Sequence, residues 1–238
     1  MTLARYEKAF IEYSKEEERD EYEFKFGLEC ETDNHWFFYL THQLEEKENA
    51  EAKTYAEVKY IFPQNFTAAL QYETYHSRDA LGFKLCKNCQ FGKSLSSGSS
   101  ITYTQYLPQA DKYLEPDFTE LKFYNELKYR IKEFFLVIVG CEYINADYEQ
   151  NVLNPADNPD YLKMEYLTGL EYRFSKAGIL WGRYYFDAIN YDNVNRNNSY
   201  SDKLVFGVNY NYHKYAFYCS YPFPQEGNSS TFGVSYRF

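Results

Sequence analysis

Tyr22-Glu23-Phe24-Lys25-Phe26-Gly27-Leu28-Glu29-Cys30 decides how this chain is read. Every second residue is apolar or aromatic, and Glu, Lys and Gly stand between them. Successive side chains on a β-strand point to opposite faces, so this stretch has one apolar and one polar face. A helix would scatter both sets around its axis. The pattern extends outward from here in both directions. Ala56, Val58, Tyr60 and Phe62 alternate with Glu57 and Lys59, and Leu121, Phe123, Leu127 and Tyr129 with Glu120, Lys122, Glu126 and Lys128. Leu162 to Phe174, Leu204 to Tyr212 and Phe232 to Phe238 do the same.

Fourteen strands are expected, near 3–13, 20–31, 35–44, 53–62, 66–76, 80–91, 99–107, 117–129, 131–145, 161–174, 177–187, 202–212, 214–223 and 230–238. Their connections alternate in kind. One set is short, at 31–34, 63–65, 130, 175–176 and 213, with the Ser-rich 93–98 fitting it worst. The other set is longer and polar, at 14–19, 45–52, 107–116, 146–160 and 187–201. Short turns at one end and long loops at the other are what an up-and-down antiparallel transmembrane barrel produces. An even strand number also brings both termini to the short-turn end. The expectation is an all-β barrel of 14 strands, with 12 as the alternative, forming one domain over 1–238 with no linker or composition break.

Composition says which way the barrel faces. Aromatic residues make up 21% of 238 residues, yet the mean hydropathy is −0.67. Such a chain interleaves its two kinds of residue. Disordered chains are poor in aromatics, so disorder is excluded. The longest uncharged apolar run, Phe134 to Gly140, is far short of the ~20 residues of a membrane helix. A soluble sandwich or lipocalin-like carrier would also alternate, with its apolar face inward. A soluble barrel of this length would need a very large core, whereas a membrane barrel needs only an apolar outer belt. Aromatics near strand ends, such as Tyr13, Tyr22, Trp36, Phe62, Phe66, Tyr172 and Tyr212, suit interface girdles. The expected partners are therefore a lipid bilayer or detergent and small hydrophilic solutes. A net charge of −10 argues against nucleic acid, which demands a basic face. Met1-Thr2-Leu3-Ala4-Arg5-Tyr6 holds no signal peptide. Under the barrel reading this is a mature form whose leader has been removed.

The segments Leu167-Thr-Gly-Leu-Glu-Tyr-Arg-Phe174, Leu204-Val-Phe-Gly-Val-Asn-Tyr-Asn-Tyr212 and Phe232-Gly-Val-Ser-Tyr-Arg-Phe238 resemble the small monomeric oligosaccharide porins of Gram-negative outer membranes. The oligogalacturonate and sialic-acid channels are of this type. The opening Arg5-Tyr-Glu-Lys8 and Arg19-Asp-Glu-Tyr22 are weakly similar to the family's start. The resemblance covers about a third of the chain, and the closing segment is shared by outer-membrane barrels generally. It implies an outer-membrane location, a monomer, passive diffusion and basic lumen residues that guide acidic sugars. The family is twelve-stranded, whereas this chain reads as fourteen and is acidic.

The polar face is then the functional face. Its candidate pore-lining residues are Lys25, Lys59, Lys122, Lys128, Lys163, Glu165, Glu171, Arg173, Arg183 and Arg237. Opposite charges so closely spaced suggest cross-strand pairs that brace the wall, orient polar solutes, or both. Lys163, Arg173 and Arg183 would form a basic track that Glu165 and Glu171 interrupt. The excess acid, Asp187 included, is placed in loops. Catalytic groupings are thin, and no cofactor or metal site is expected. His76-Ser77 offers a Ser–His pair, but neighbours on a strand point apart and a nucleophile must touch its base. Cys86-Lys-Asn-Cys89 lacks the following His of a haem attachment and a second CxxC for zinc. It allows a local disulfide or two free thiols on a turn.

Overall fold

The computed structural model describes residues 4–16, 21–46, 52–74, 78–108, 118–148, 161–192, 202–223 and 230–238. Fourteen strands run through them: β1 (Ala4–Glu16), β2 (Glu21–Thr32), β3 (Trp36–Glu46), β4 (Ala52–Phe62), β5 (Phe66–Thr74), β6 (Arg78–Phe91) and β7 (Leu95–Pro108). They continue as β8 (Phe118–Lys132), β9 (Phe135–Tyr148), β10 (Tyr161–Arg173), β11 (Gly178–Asp192), β12 (Asp202–Tyr212), β13 (Tyr215–Phe223) and β14 (Ser230–Arg237). Each pairs antiparallel with its sequence neighbours, and β1 pairs with β14 to close the barrel. Closure leaves no edge strand unpaired.

The turns explain the polarity of the barrel. His35, Gln64, Asn65, Gly92 and His213 all have positive φ, and all lie in the short connections. That left-handed backbone lets a tight turn follow the twist of its two strands. The terminal strands end beside these turns, where the Phe238 amide donates to the Glu7 carbonyl at 3.1 Å.

Several boundaries differ from the sequence reading, the largest being the start of β7, the turn after β8 and the end of β11, which runs to Asp192 rather than 187 because its ladder to β10 continues through a bulge. β7 begins at Leu95, so Ser96, Ser97 and Gly98 are strand residues paired with Gln90, Cys89 and Asn88. Ladders to β6 and β8 on both sides override the poor strand propensity of Ser and Gly. The turn after β8 lies at Glu133-Phe134, not Arg130, with a bulge between Arg130 and Lys132. One residue cannot reverse a chain; a tight turn needs two.

The apolar face points outward. Leu28, Leu70, Leu170 and Phe206 are 56%, 66%, 53% and 53% exposed. Soluble proteins do not expose apolar belts of this extent. Aromatic pairs flank the belt. Trp36–Tyr60, Phe62–Phe66, Phe135–Tyr172 and Tyr215–Tyr236 lie at the short-turn end, with centroids 5.0–5.5 Å apart. Tyr13–Phe24 and Tyr166–Phe186 mark the long-loop side, both at 5.2 Å. This is a transmembrane β-barrel, and the soluble carrier, which needs its apolar face inside, is excluded.

Candidate functional site: the inner face of the barrel

Alternation and register together assign every inward side chain. On β1, Lys8, Phe10, Glu12 and Ser14 face in, and their partners on β2 are Glu29, Gly27, Lys25 and Glu23. Following the registers around the ring gives an inner face of four walls. β1–β5 and β8–β11 carry most of the charge, with Lys84 on β6, Lys203 on β12 and Arg237 on β14 besides. Between them, β6–β7 present Asn88, Ser96, Ser100, Thr102 and Thr104, and β12–β14 present Asn209, Ser220, Thr231 and Ser235.

Most charges are held by a neighbour. Lys163 lies 2.9 Å from Glu165 and 3.4 Å from Asp187. Arg183 reaches Glu171 at 3.3 Å, and Lys128 reaches Glu126 at 2.6 Å. Lys122 sits between Glu120 at 3.9 Å and Glu142 at 4.0 Å. Lys59 lies 3.9 Å from Glu57 and 3.7 Å above the centroid of Phe37. Lys25 stands between Glu12 and Gln43 in register, with no ion pair among the described residues. Arg173 and Arg237 occupy the short-turn mouth, Arg237 opposite Lys8. Lys163, Arg173 and Arg183 make no continuous basic line, because carboxylates bind two of the three. Partly exposed pairs of this kind contribute about 0–1 kcal/mol each, so they set the local field more than the stability.

The inner face also carries rings. Tyr55 and Tyr124 each donate a phenol proton to the carboxylate two residues on, Glu57 and Glu126, both at 2.9 Å. Glu57 also accepts from Gln71 at 2.7 Å. The Phe10 ring lies flat over Gly27, where any Cβ would collide with it, and stacks on Tyr39 at 5.9 Å. Trp181 lies over Gly207 in the same way, its indole N–H donating to Asn209 at 3.4 Å. Gly supplies the recess that lets a ring lie along the wall instead of across the bore.

Several of these residues escaped the sequence reading. Asp187 is 6% exposed on the inner face of β11 rather than in a loop. Its parity with Arg183 and Tyr185 was the available signal. Inward tyrosines carried no such signal, because alternation alone places aromatics with the apolar set. Cys86 and Cys89 lie within strand β6, not on a turn, and both are free thiols. Three residues apart on an extended strand, they face opposite sides, Cys86 inward and Cys89 outward, so no local disulfide forms. His76 and Ser77 fall outside the described residues, as does most of the loops at 146–160 and 187–201. The other histidines do not face inward: His35 and His213 sit in turns, and His42 faces outward, bonded to Thr54 at 2.9 Å. Among the described residues no group of His, Cys, Asp and Glu is placed to hold a metal ion.

A closed barrel with an apolar exterior and a charged, hydroxyl-rich interior defines the class, a transmembrane barrel with a polar lumen. Solved structures share this fold. The chain is similar to OmpT, an outer membrane protein of Vibrio cholerae in its trimer form, with a TM-score of 0.57 and 10% identity over 100% of this chain and 99% of that one. It is also similar to the NanC porin, with a TM-score of 0.52 and 13% identity over 98% and 100% of the two chains. The KdgM porin aligns at a TM-score of 0.48 and 9% identity, over 97% and 99%. At these identities the likeness to OmpT and to the NanC porin is one of fold. No family model matches the sequence, and no curated protein matches it.

Proposed function

We propose that this chain is a monomeric outer-membrane channel that passes small hydrophilic solutes by passive diffusion, without a catalytic step. The observation that carries this reading is the inside-out partition of side chains. An apolar belt with aromatic girdles faces lipid, while charges, hydroxyls and amides face a shared interior. Each barrel encloses its own lumen, so one chain suffices. Single-channel recording in planar bilayers tests it. Discrete, ohmic conductance steps are expected, and a barrel that stays closed across salts and voltages overturns it.

Acidic oligosaccharides are the solute class favoured by the balance of paired and unpaired charge. Glu57, Glu126, Glu165 and Glu171 are ion-paired with Lys59, Lys128, Lys163 and Arg183, whereas Glu12, bonded to a neutral phenol, and Glu31 keep their charge. Lys25, Lys84 and Lys203 face the same interior with no ion-pair partner among the described residues. The remaining pull is mild and favours anions. Liposome swelling should run faster with a uronate trisaccharide than with a neutral trisaccharide of equal size, and equal rates reject the preference.

A further inference from the structure

The outer wall is not uniform. One line of cross-strand partners, Phe66–Lys87–Ser99–Asn125–Cys141, crosses β5 to β9 on the lipid-facing side. Its central members are small or polar in a belt that is mostly apolar. The next line toward the long loops, Leu85–Ile101–Phe123–Tyr143, is large and apolar. The low row beside the high one opens a groove of about 540 Å³, lined almost wholly by carbon. A smaller hollow of about 200 Å³, sharing Asn125 and Cys141, continues it toward Tyr166.

The groove has a direction. Phe66 adjoins the 63–65 turn and packs on Phe62 at 5.5 Å, so this end lies in the short-turn girdle. Asn125 is the central residue of β8, so the row descends from the interface into the hydrocarbon. At the interface end stands Lys87, exposed, outward-facing and without an ion-pair partner among the described residues. No other outward-facing charge among those residues lies as far from a strand end. Deeper, Ser99 donates to Asn125 Oδ1 at 3.2 Å, which leaves the Asn125 amide protons free to donate. Amide donors exposed to hydrocarbon are costly unless something accepts them.

We propose that this groove holds one glycerophospholipid of the short-turn leaflet. Its phosphate meets the Lys87 ammonium, which rises to the interface on its apolar stem. An ester carbonyl accepts from Asn125, and one acyl chain lies along Leu85, Ile101 and Phe123. An unpaired cation at headgroup level and an apolar channel leading away from it complement an anionic lipid. The inference concerns the outer wall and does not depend on conduction through the lumen.

Native mass spectrometry of the whole refolded chain in neutral detergent tests it, with dioleoyl phosphatidylglycerol, dioleoylglycerol and inorganic phosphate as separate probes. The wild type should retain one phosphatidylglycerol after micellar lipid is stripped. Ser99→Phe, which fills the groove, should lower that retention by ~10-fold or more, a difference of about 1.4 kcal/mol. Lys87→Gln should weaken phosphatidylglycerol and leave dioleoylglycerol unchanged. Phe232→Leu, on the far wall, should match the wild type. Heat-modifiable mobility on gels reports folding, and Ser99→Leu replaces Ser99→Phe if the larger residue prevents it. Equal retention by wild type and the filled groove overturns the site. So does phosphate alone held as firmly as the lipid, or a lipid-free dimer formed through this face.

Discussion

The phenol of Tyr218 on β13 donates to the carboxylate of Glu12 on β1, crossing over Gly233 of the intervening β14. A Cβ at Gly233 would collide with the ring, so the span exists only because position 233 is glycine. One side chain thus straddles the seam where the first and last strands meet.

Loss of that span should weaken closure. Tyr218→Phe leaves a half-buried carboxylate without its donor and should cost about 1–3 kcal/mol. Gly233→Val, which forces the ring off the wall, should cost at least about 1–3 kcal/mol through overpacking. Urea unfolding in lipid vesicles measures both. An unchanged midpoint for Tyr218→Phe would show that the phenol does not clamp the seam.

Facing predicts an asymmetry between neighbours on β10. Leu170 is 53% exposed on the lipid side, whereas Glu165 faces inward against Lys163. Leu170→Arg, between the short-turn girdle and the midplane, should cost about 1–3 kcal/mol, and Glu165→Gln less than about 1 kcal/mol. Folding yield into bilayers separates them. Equal damage from the two would contradict the register.

Lumen charge predicts a shift in selectivity. Glu171→Gln removes the ion pair of Arg183, and Glu165→Gln removes one of the two carboxylates that hold Lys163. The double variant should move the reversal potential toward anions at low salt. Screening over about 10 Å at 0.1 M should erase most of the shift as salt rises. A reversal potential that stays put at low salt would mean that β10 and β11 do not line the conducting path.

The two thiols of β6 report the two sides of the wall. A charged, water-soluble methanethiosulfonate should react with Cys86 from the lumen and reduce the current, and it should spare Cys89. Cys86→Ser should abolish the block, and Cys89→Ser should leave it intact. A block that survives Cys86→Ser would place the reactive thiol elsewhere.

Alternation, read from residues such as Tyr22 to Cys30, already determined the all-β class, the fourteen strands and the side that Glu165 and Leu170 face. Those properties are local, because a period of two is written in consecutive residues and needs no partner to be read. Tertiary structure alone decided the rest. Tyr218 and Glu12 are 206 residues apart, and no nearby residue announces their contact. The same holds for Lys163 against Asp187, for the rings laid over Gly27 and Gly207, and for the row from Lys87 through Ser99 to Asn125. Each is fixed by how far one strand slides along the next before its backbone hydrogen bonds lock. Register also drew Ser96 to Gly98 into β7 against their own propensity, because a ladder shared with two neighbours outweighs the preference of single residues.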